Sequence, residues 1–345
     1  MDRRGRAARR WLAAAPDPAS ARAAHPRAWA LGLGAALTLG AGCTKSGNLD
    51  VGAFGLDGVS SMECVPPASD AARDVACSRW ACGHSALDAA PWNGDAASCD
   101  PGRVDEHARD RALRVVNAYR ALAGVPELTA EARWEGPAQD CALLAHANRS
   151  LSHAPPPEWA CWSERGARAS AVSLVANRSA PQAIDPLIED EGNASTMVHR
   201  RWLLSEKIHR VGLGSTSRFT CALVDGREWD DAPAAPRSEL ALPAWVAWPP
   251  PGPVPLDVFR RTKLDAVGWT IQSSNLDLDG AAVTVRVGGE PRAVAVFPLE
   301  RTMGSLTAVR FVPDGWTAEG GSRYDVQVEK DGAVIAYAVE PVDCR

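Results

Sequence analysis

Two histidines stand where a reactive site could form. His153 lies in Arg149-Ser150-Leu151-Ser152-His153-Ala154-Pro155, at the end of a helical run and before a polyproline turn. His199 opens His199-Arg200-Arg201-Trp202-Leu203-Leu204, just inside a second helix. Imidazole nitrogen ligates divalent metals such as zinc and serves as a general base near neutral pH. With carboxylates close by, either chemistry is open to this pair. The alternative is a hydrogen-bonded structural histidine at each position, the commoner fate of the residue type. The cysteines offer no rival metal centre. Nine are present, and none is spaced as the Cys-x-x-Cys pairs of a zinc ribbon.

The elements that must position these residues are legible from periodicity. Ala108, Ala112, Val115, Tyr119 and Leu122 recur at helical steps from Val104, and Gly124 with Pro126 ends the run. A second helix covers about 137–149, closed by Ala154-Pro155-Pro156-Pro157. Ser179 reads as an N-cap before Pro181-Gln182-Ala183-Ile184, and Ser195 as the cap of the run carrying His199. Val211-Gly212-Leu213-Gly214 and Phe219 to Val224 read as strands. Together these make an α+β domain over 104–229. Residues 230–255, rich in Pro and Ala, read as a semi-rigid linker. Beyond it valines alternate with a period of two, and Lys330-Asp331-Gly332 marks a hairpin. The expected fold there is a small all-β sandwich over 256–345.

Composition sets the compartment. The chain has 345 residues, 37 basic and 42 acidic, for a net charge of −5. That balance disfavours nucleic acid as a partner, and the pattern excludes a polytopic membrane protein, a collagen-like chain and a coiled coil. The N-terminus carries Arg3, Arg4, Arg6, Arg9 and Arg10, then the apolar run Ala28 to Leu39. This is signal-peptide patterning over 1–42, too short to span a bilayer. Gly40-Ala41-Gly42-Cys43 resembles the lipobox of bacterial lipoproteins, in which the cysteine becomes the acylated N-terminus. The expected location is the cell envelope, held to the membrane through Cys43, with soluble secretion as the alternative. That leaves Cys64, Cys77, Cys82, Cys99, Cys141, Cys161, Cys221 and Cys344, an even set for an oxidising compartment. Sequence does not fix their pairing. The expected division has Cys64 to Cys99 stapling a loop-rich segment, 43–103, with little core of its own. Cys141 and Cys161 then brace the helices, and Cys221 and Cys344 link the domains.

Landmarks in order carry a family resemblance. They are Asn117-Ala118-Tyr119-Arg120, Gly124-Val125-Pro126-Glu127-Leu128, Ala138-Gln139 with Cys141-Ala142, Ser152-His153, Pro181-Gln182-Ala183, His199 to Leu204 and Val211 to Gly214. The series resembles the CAP superfamily of cysteine-rich secretory, antigen 5 and pathogenesis-related class 1 proteins. The resemblance implies an α-β-α sandwich with a cleft where two histidines and two glutamates hold a cation, often zinc. His153 and His199 match the histidines. Ala167 falls where the first glutamate should be, with Glu164 as a possible substitute. The second acid falls among Glu189, Asp190 and Glu191.

This half-kept cleft points to a non-catalytic extracellular binding or interaction module. Its ligand class, lipid, glycan or protein, is left open. The alternative is a metal-assisted, protease-like hydrolase centred on His153 and His199, with Ser152 the only serine to nominate as nucleophile. Trp134, Trp159, Trp162 and Trp202 either line a cleft or, the preferred reading, fill the core. Arg200, Arg201 and Arg210 read as surface charges or a basic spot.

Overall fold

The computed structural model describes residues 71–230 and 242–345. The signal segment, the lipobox with Cys43, and Cys64 lie outside the described residues. Among the described residues no helix is long and apolar enough to cross a membrane.

The N-terminal half runs α1 (Ala72–Gly83), α2 (Glu106–Leu122), β1 (Thr129–Ala130), α3 (Ala132–Asn148), α4 (Glu164–Ala171), β2 (Ser173–Ala176), α5 (Ile184–Glu189), α6 (Val198–Leu203), β3 (Arg210–Ser215) and β4 (Thr220–Leu223). The expected helix from Val104 is α2, capped by Asp105, whose carboxylate accepts from Ala108 N. Helix α3 starts five residues before the expected position and carries Pro137 within its second turn, at the loss of one backbone bond to the preceding turn.

The four strands form one sheet in the order β1-β3-β4-β2. Because strand side chains alternate, the sheet feeds two cores. Leu174, Ala176, Val211, Leu213 and Ala222 face α2 and α5, with Tyr119, Val115 and Ile188. Val175, Cys221 and Leu223 face α3 and α4, with Trp134, Ala138 and Cys141. This is an α-β-α sandwich. Strand β3 lies directly on α3, and Gly212 and Gly214 allow it. A Cβ at Gly214 would stand 2.1 Å from the Ala138 carbonyl carbon, and one at Gly212 2.5 Å from Trp134 Cβ.

The C-terminal region adds β5 (Val246–Trp248), β6 (Gly252–Pro255), α7 (Leu256–Arg261), α8 (Leu264–Val267), β7 (Trp269–Ser273), β8 (Ala282–Val287), β9 (Glu290–Arg292), β10 (Val294–Pro298), β11 (Thr307–Pro313), β12 (Tyr324–Lys330) and β13 (Ala333–Val342). Its sheets run β10-β11-β7-β5 and β6-β13-β12-β8-β9. Trp269, Ile271 and Phe311 from one meet Val285, Val326 and Val339 from the other. The expected hairpin is present: Lys330 pairs with Ala333, and Asp331 and Gly332 take φ of 50° and 81°. Two short helices make the region less purely β than expected.

Three expectations are corrected. The described part of the Pro-rich stretch is not a linker but supplies β5 and β6, with Trp248 and Val254 buried. Both are edge strands, the positions where proline's missing N–H disturbs no ladder. Residues 71–103 are not merely loops, since α1 places Trp80 in the large core. The disulfides are Cys77–Cys344, Cys99–Cys161 and Cys141–Cys221. Cys82 is disulfide-bonded as well. Cys141–Cys221 ties α3 to β4, and Cys77–Cys344 ties α1 to the C-terminal end. The division by sequence neighbourhood fails because helices and strands bring distant cysteines together.

The described residues, 71–230 and 242–345, fall within one compact unit. A buried polar cluster helps join its parts. His84 Nε2 lies 3.0 Å from Asp185 Oδ1, which also accepts from Tyr119 OH at 2.8 Å. Trp80 Nε1 and Arg261 Nε both donate to Asp257 Oδ2. Burial opposes ionisation of Asp185, but His84, Tyr119 and Arg261 outweigh it and hold its carboxyl below the usual range.

Candidate functional site

The chain folds His199 into place through one carboxylate. Asp190 follows α5 with φ of 60°, a left-handed conformation that ends the helix. Its Oδ2 accepts from the backbone N–H of His199 at 2.9 Å and of Arg200 at 3.2 Å. Its Oδ1 accepts from His199 Nδ1 at 3.0 Å and Asn193 Nδ2 at 2.8 Å. The Asp190 side chain is fully buried. Asp190, not Ser195, therefore caps the helix carrying His199. Sequence reasoning placed this aspartate among three candidate ligands and missed its capping role. The left-handed turn puts it eight residues before the helix it serves, outside any local capping pattern.

His153 is held from the other side. It lies in an exposed loop after α3, and its Nδ1 stands 2.9 Å from the Ser170 carbonyl near the end of α4. A carbonyl and a carboxylate only accept, so each histidine carries its proton on Nδ1. Each ring then turns its Nε2 away from these partners. Desolvation lowers the pKa of His153, the Ser170 carbonyl opposes the shift, and the nearby His199 adds to it. The two imidazoles are thus brought within electrostatic reach of each other.

That relation is testable. The His153 titration, followed by its ring-proton NMR signal, has its midpoint below that of an ordinary histidine. His199→Gln should move the midpoint upward, because it removes a like charge. No movement would mean that the rings do not sense each other. The sign for stability follows from the lowered folded-state value. The contribution is present above the ordinary histidine pKa of about 6.5 and is lost as pH falls through the folded-state value.

The acids expected to complete a ligand set are engaged elsewhere. Glu164 is exposed on the first turn of α4 and meets Arg168 at 3.9 Å. Ala167, at the expected glutamate position, is one turn ahead of Ser170 on the same helix and supplies no oxygen. Glu189 and Glu191 lie 2.9 and 2.7 Å from Lys263 Nζ, an ammonium reaching across from the C-terminal region. Asp190 acts on His199 from the Nδ1 side, as a carboxylate behind a metal-ligating histidine does. Among the described residues no three His, Cys, Asp or Glu side chains come together to hold a metal ion. Two imidazoles do not fit the three or four ligands that zinc requires. Ser152 Oγ accepts from Ala154 N at 3.0 Å within its own turn, which makes it a loop-stabilising group.

Two arginines beside His199 belong to the interior, not to a basic surface spot. Arg200 donates to the carbonyls of Ile188, Glu189 and Gly268. Arg201 donates to the carbonyls of Thr196, Glu300 and Ser305 and to Ser305 Oγ. Burial lowers both guanidinium pKa values to about 10, so both stay charged at neutral pH. Arg210 pairs with Glu131 and Asp230 and lies over the Trp134 ring. Trp134 is core, as preferred, whereas Trp162 is exposed and its Nε1 donates to the Pro155 carbonyl on the His153 loop. Two surface hollows lie away from the histidines. One is lined by Arg286, Arg323 and Tyr337, the other by Leu122, Pro243 and Trp245.

Residues 113–219 match the family model described as CAP, the cysteine-rich secretory protein family. No curated protein and no solved structure matches the chain.

Proposed function

Residues 113–219 form a CAP domain, and from that premise we propose that the chain is an exported, lipid-anchored binding protein. Its CAP module engages an extracellular ligand without catalysis. One observation carries this reading: Glu189 and Glu191 are taken by Lys263 and Asp190 by the cap of α6, while Glu164 is exposed on α4. A hydrolase of the alternative kind needs a metal-activated water or an activated nucleophile. Neither Ser152 nor the two-imidazole donor set supports one. What the His153 loop offers instead is an exposed imidazole in the same segment as the exposed Leu151 and Trp162. That surface suits a ligand with hydroxyl donors and an apolar face, as a glycan or an amphiphile has. Export is supported by the disulfides among the described residues, since such bonds persist in oxidising compartments. The anchor rests on Gly40-Ala41-Gly42-Cys43.

The test measures zinc content and detergent partitioning on the same exported protein. The expected zinc content is well below one per chain, and the same after His153→Ala with His199→Ala. Stoichiometric zinc that the double substitution abolishes would overturn the binding reading in favour of the hydrolase. Cys43→Ser should move the chain from the detergent phase to the aqueous phase; unchanged partitioning would remove the anchor.

A further inference from the structure

Strand β5 ends its sheet, and the register of that sheet decides which of its backbone groups are left over. At the other end of the sheet Asp314 N donates to the Ala293 carbonyl and Leu299 N to the Ala308 carbonyl. Bonded pairs alternate along an antiparallel ladder. The backbone groups of 308, 310 and 312 on β11 therefore point at β10, and those of 307, 309 and 311 point at β7. Their partners on β7 are Ser273, Ile271 and Trp269. Thr270 and Gln272 are then the residues that point at β5, where they meet Trp248 and Val246. The N–H and C=O groups of Trp245 and Ala247 face out of the sheet.

Among the described residues no hydrogen bond reaches the backbone of Trp245 or Ala247. Ala247 is nonetheless only 1% exposed. Buried backbone groups are nearly always paired, so two donors and two acceptors left over at one edge are unusual. They open onto a groove of about 430 Å³. Trp245 and Ala247 line it and Val246 and Trp248 do not, as the alternation requires. Its other walls include Leu122 and Gly124, at the end of α2 and in the turn after it, and Pro243 and Pro251. Among the described residues no charged side chain lines it. The Trp245 ring packs on Tyr337, with centroids 5.4 Å apart, so the aromatic wall is fixed.

We propose that this groove takes an extended segment of a partner protein, which joins the sheet as a fifth strand beside β5. The choice of a peptide follows from complementary partial charges. The edge repeats a positive N–H end and a negative carbonyl end on alternate residues, about 6.6 Å apart. An extended backbone carries the same two groups at the same interval, and main-chain pairing of this kind is how sheet edges capture peptides. Sugar hydroxyls and acyl chains have no such repeat. The walls set the side chains: an apolar residue fits, whereas an ionised one loses water without gaining a partner. Proline is excluded where the segment faces β5, because its missing N–H leaves a carbonyl of Trp245 or Ala247 unpaired. The groove is separate from the histidine pair, so the two surfaces act independently.

The test uses the exported full chain carrying Cys43→Ser, with a displayed library of random heptapeptides as the probe. The expected result is enrichment of peptides with apolar residues at alternate positions. In the free chain the Trp245 and Ala247 amides should exchange with solvent deuterium faster than those of Val246 and Trp248. A selected peptide should slow the exchange of both. Trp245→Pro removes an outward N–H and no bond of the existing ladder. It should weaken a selected peptide by about tenfold or more. A measurement on the unaltered strand covers the case in which proline disturbs the sandwich. The same peptide N-methylated at the two amides facing β5 keeps its side chains and should bind at least about tenfold more weakly. No enrichment, equal binding of the N-methylated peptide, or exchange protection at the His153 loop instead of at Trp245 and Ala247 would each overturn the proposal.

Discussion

Arg200→Ala is expected to destabilise the fold by about 4 kcal/mol, the range for removing one partner from a buried charged hydrogen-bond set. The guanidinium is 1% exposed and serves three carbonyls at once: Ile188 at 2.7 Å, Glu189 at 3.0 Å and Gly268 at 2.6 Å. Alanine leaves all three without that donor in a place water does not reach. It also leaves a cavity the size of a long side chain. The carbonyls belong to α5 and to the turn before β7, so the loss loosens the CAP layers from the C-terminal sandwich. Arg200→Lys should recover little, because an ammonium cannot reproduce the planar fork that spans three acceptors. Urea denaturation monitored by tryptophan fluorescence measures the effect. Arg79→Ala, on the exposed face of α1, is the control and should stay within about 0.5 kcal/mol. A loss for Arg200→Ala no larger than that of the control would show that the interior does not depend on this guanidinium.

Removing the Cys77–Cys344 bridge by the double serine substitution is the second large effect. The bridge closes a sequence separation of 267 residues. On the chain-entropy account a loop of that size contributes about 5 kcal/mol, less where other bridges already shorten it. The loss should be local in its first expression. Helix α1 buries only Ala76, Trp80 and Gly83, so without the bridge its hold on the domain rests mainly on Trp80, the His84–Asp185 contact and the bond at Cys82. Limited proteolysis should then cut within residues 72–90 before the rest of the chain, and the unfolding midpoint should fall. Cleavage and midpoint both unchanged would mean that packing alone fixes α1.

The alternation in β12 and β13, the hairpin at Asp331-Gly332 and the 3.6-residue pattern of α2 were readable because each is a local periodicity. The family resemblance was readable too, since its landmarks are short and ordered. Cysteine pairing was not, because Cys141 and Cys221 are neighbours only after α3 lies across β4. Nor was the state of the arginines. In a string of residues, Arg200-Arg201 looks like any charged pair on a helix. Only the carbonyls of Gly268, Glu300 and Ser305, far along the chain, turn them into buried anchors.

The candidate site divides in the same way. Residue type and order alone put two histidines where the CAP resemblance expects them and an alanine where it expects a glutamate, and they leave eight cysteines once Cys43 is set aside. The tertiary structure decided where the surviving acids go. Asp190 turns back through a left-handed residue to cap the helix it precedes, and Lys263 arrives from the second sandwich to take Glu189 and Glu191. A carboxylate is committed by whichever cation or N–H group the fold brings within about 3 Å, and that partner is set by packing across the sequence.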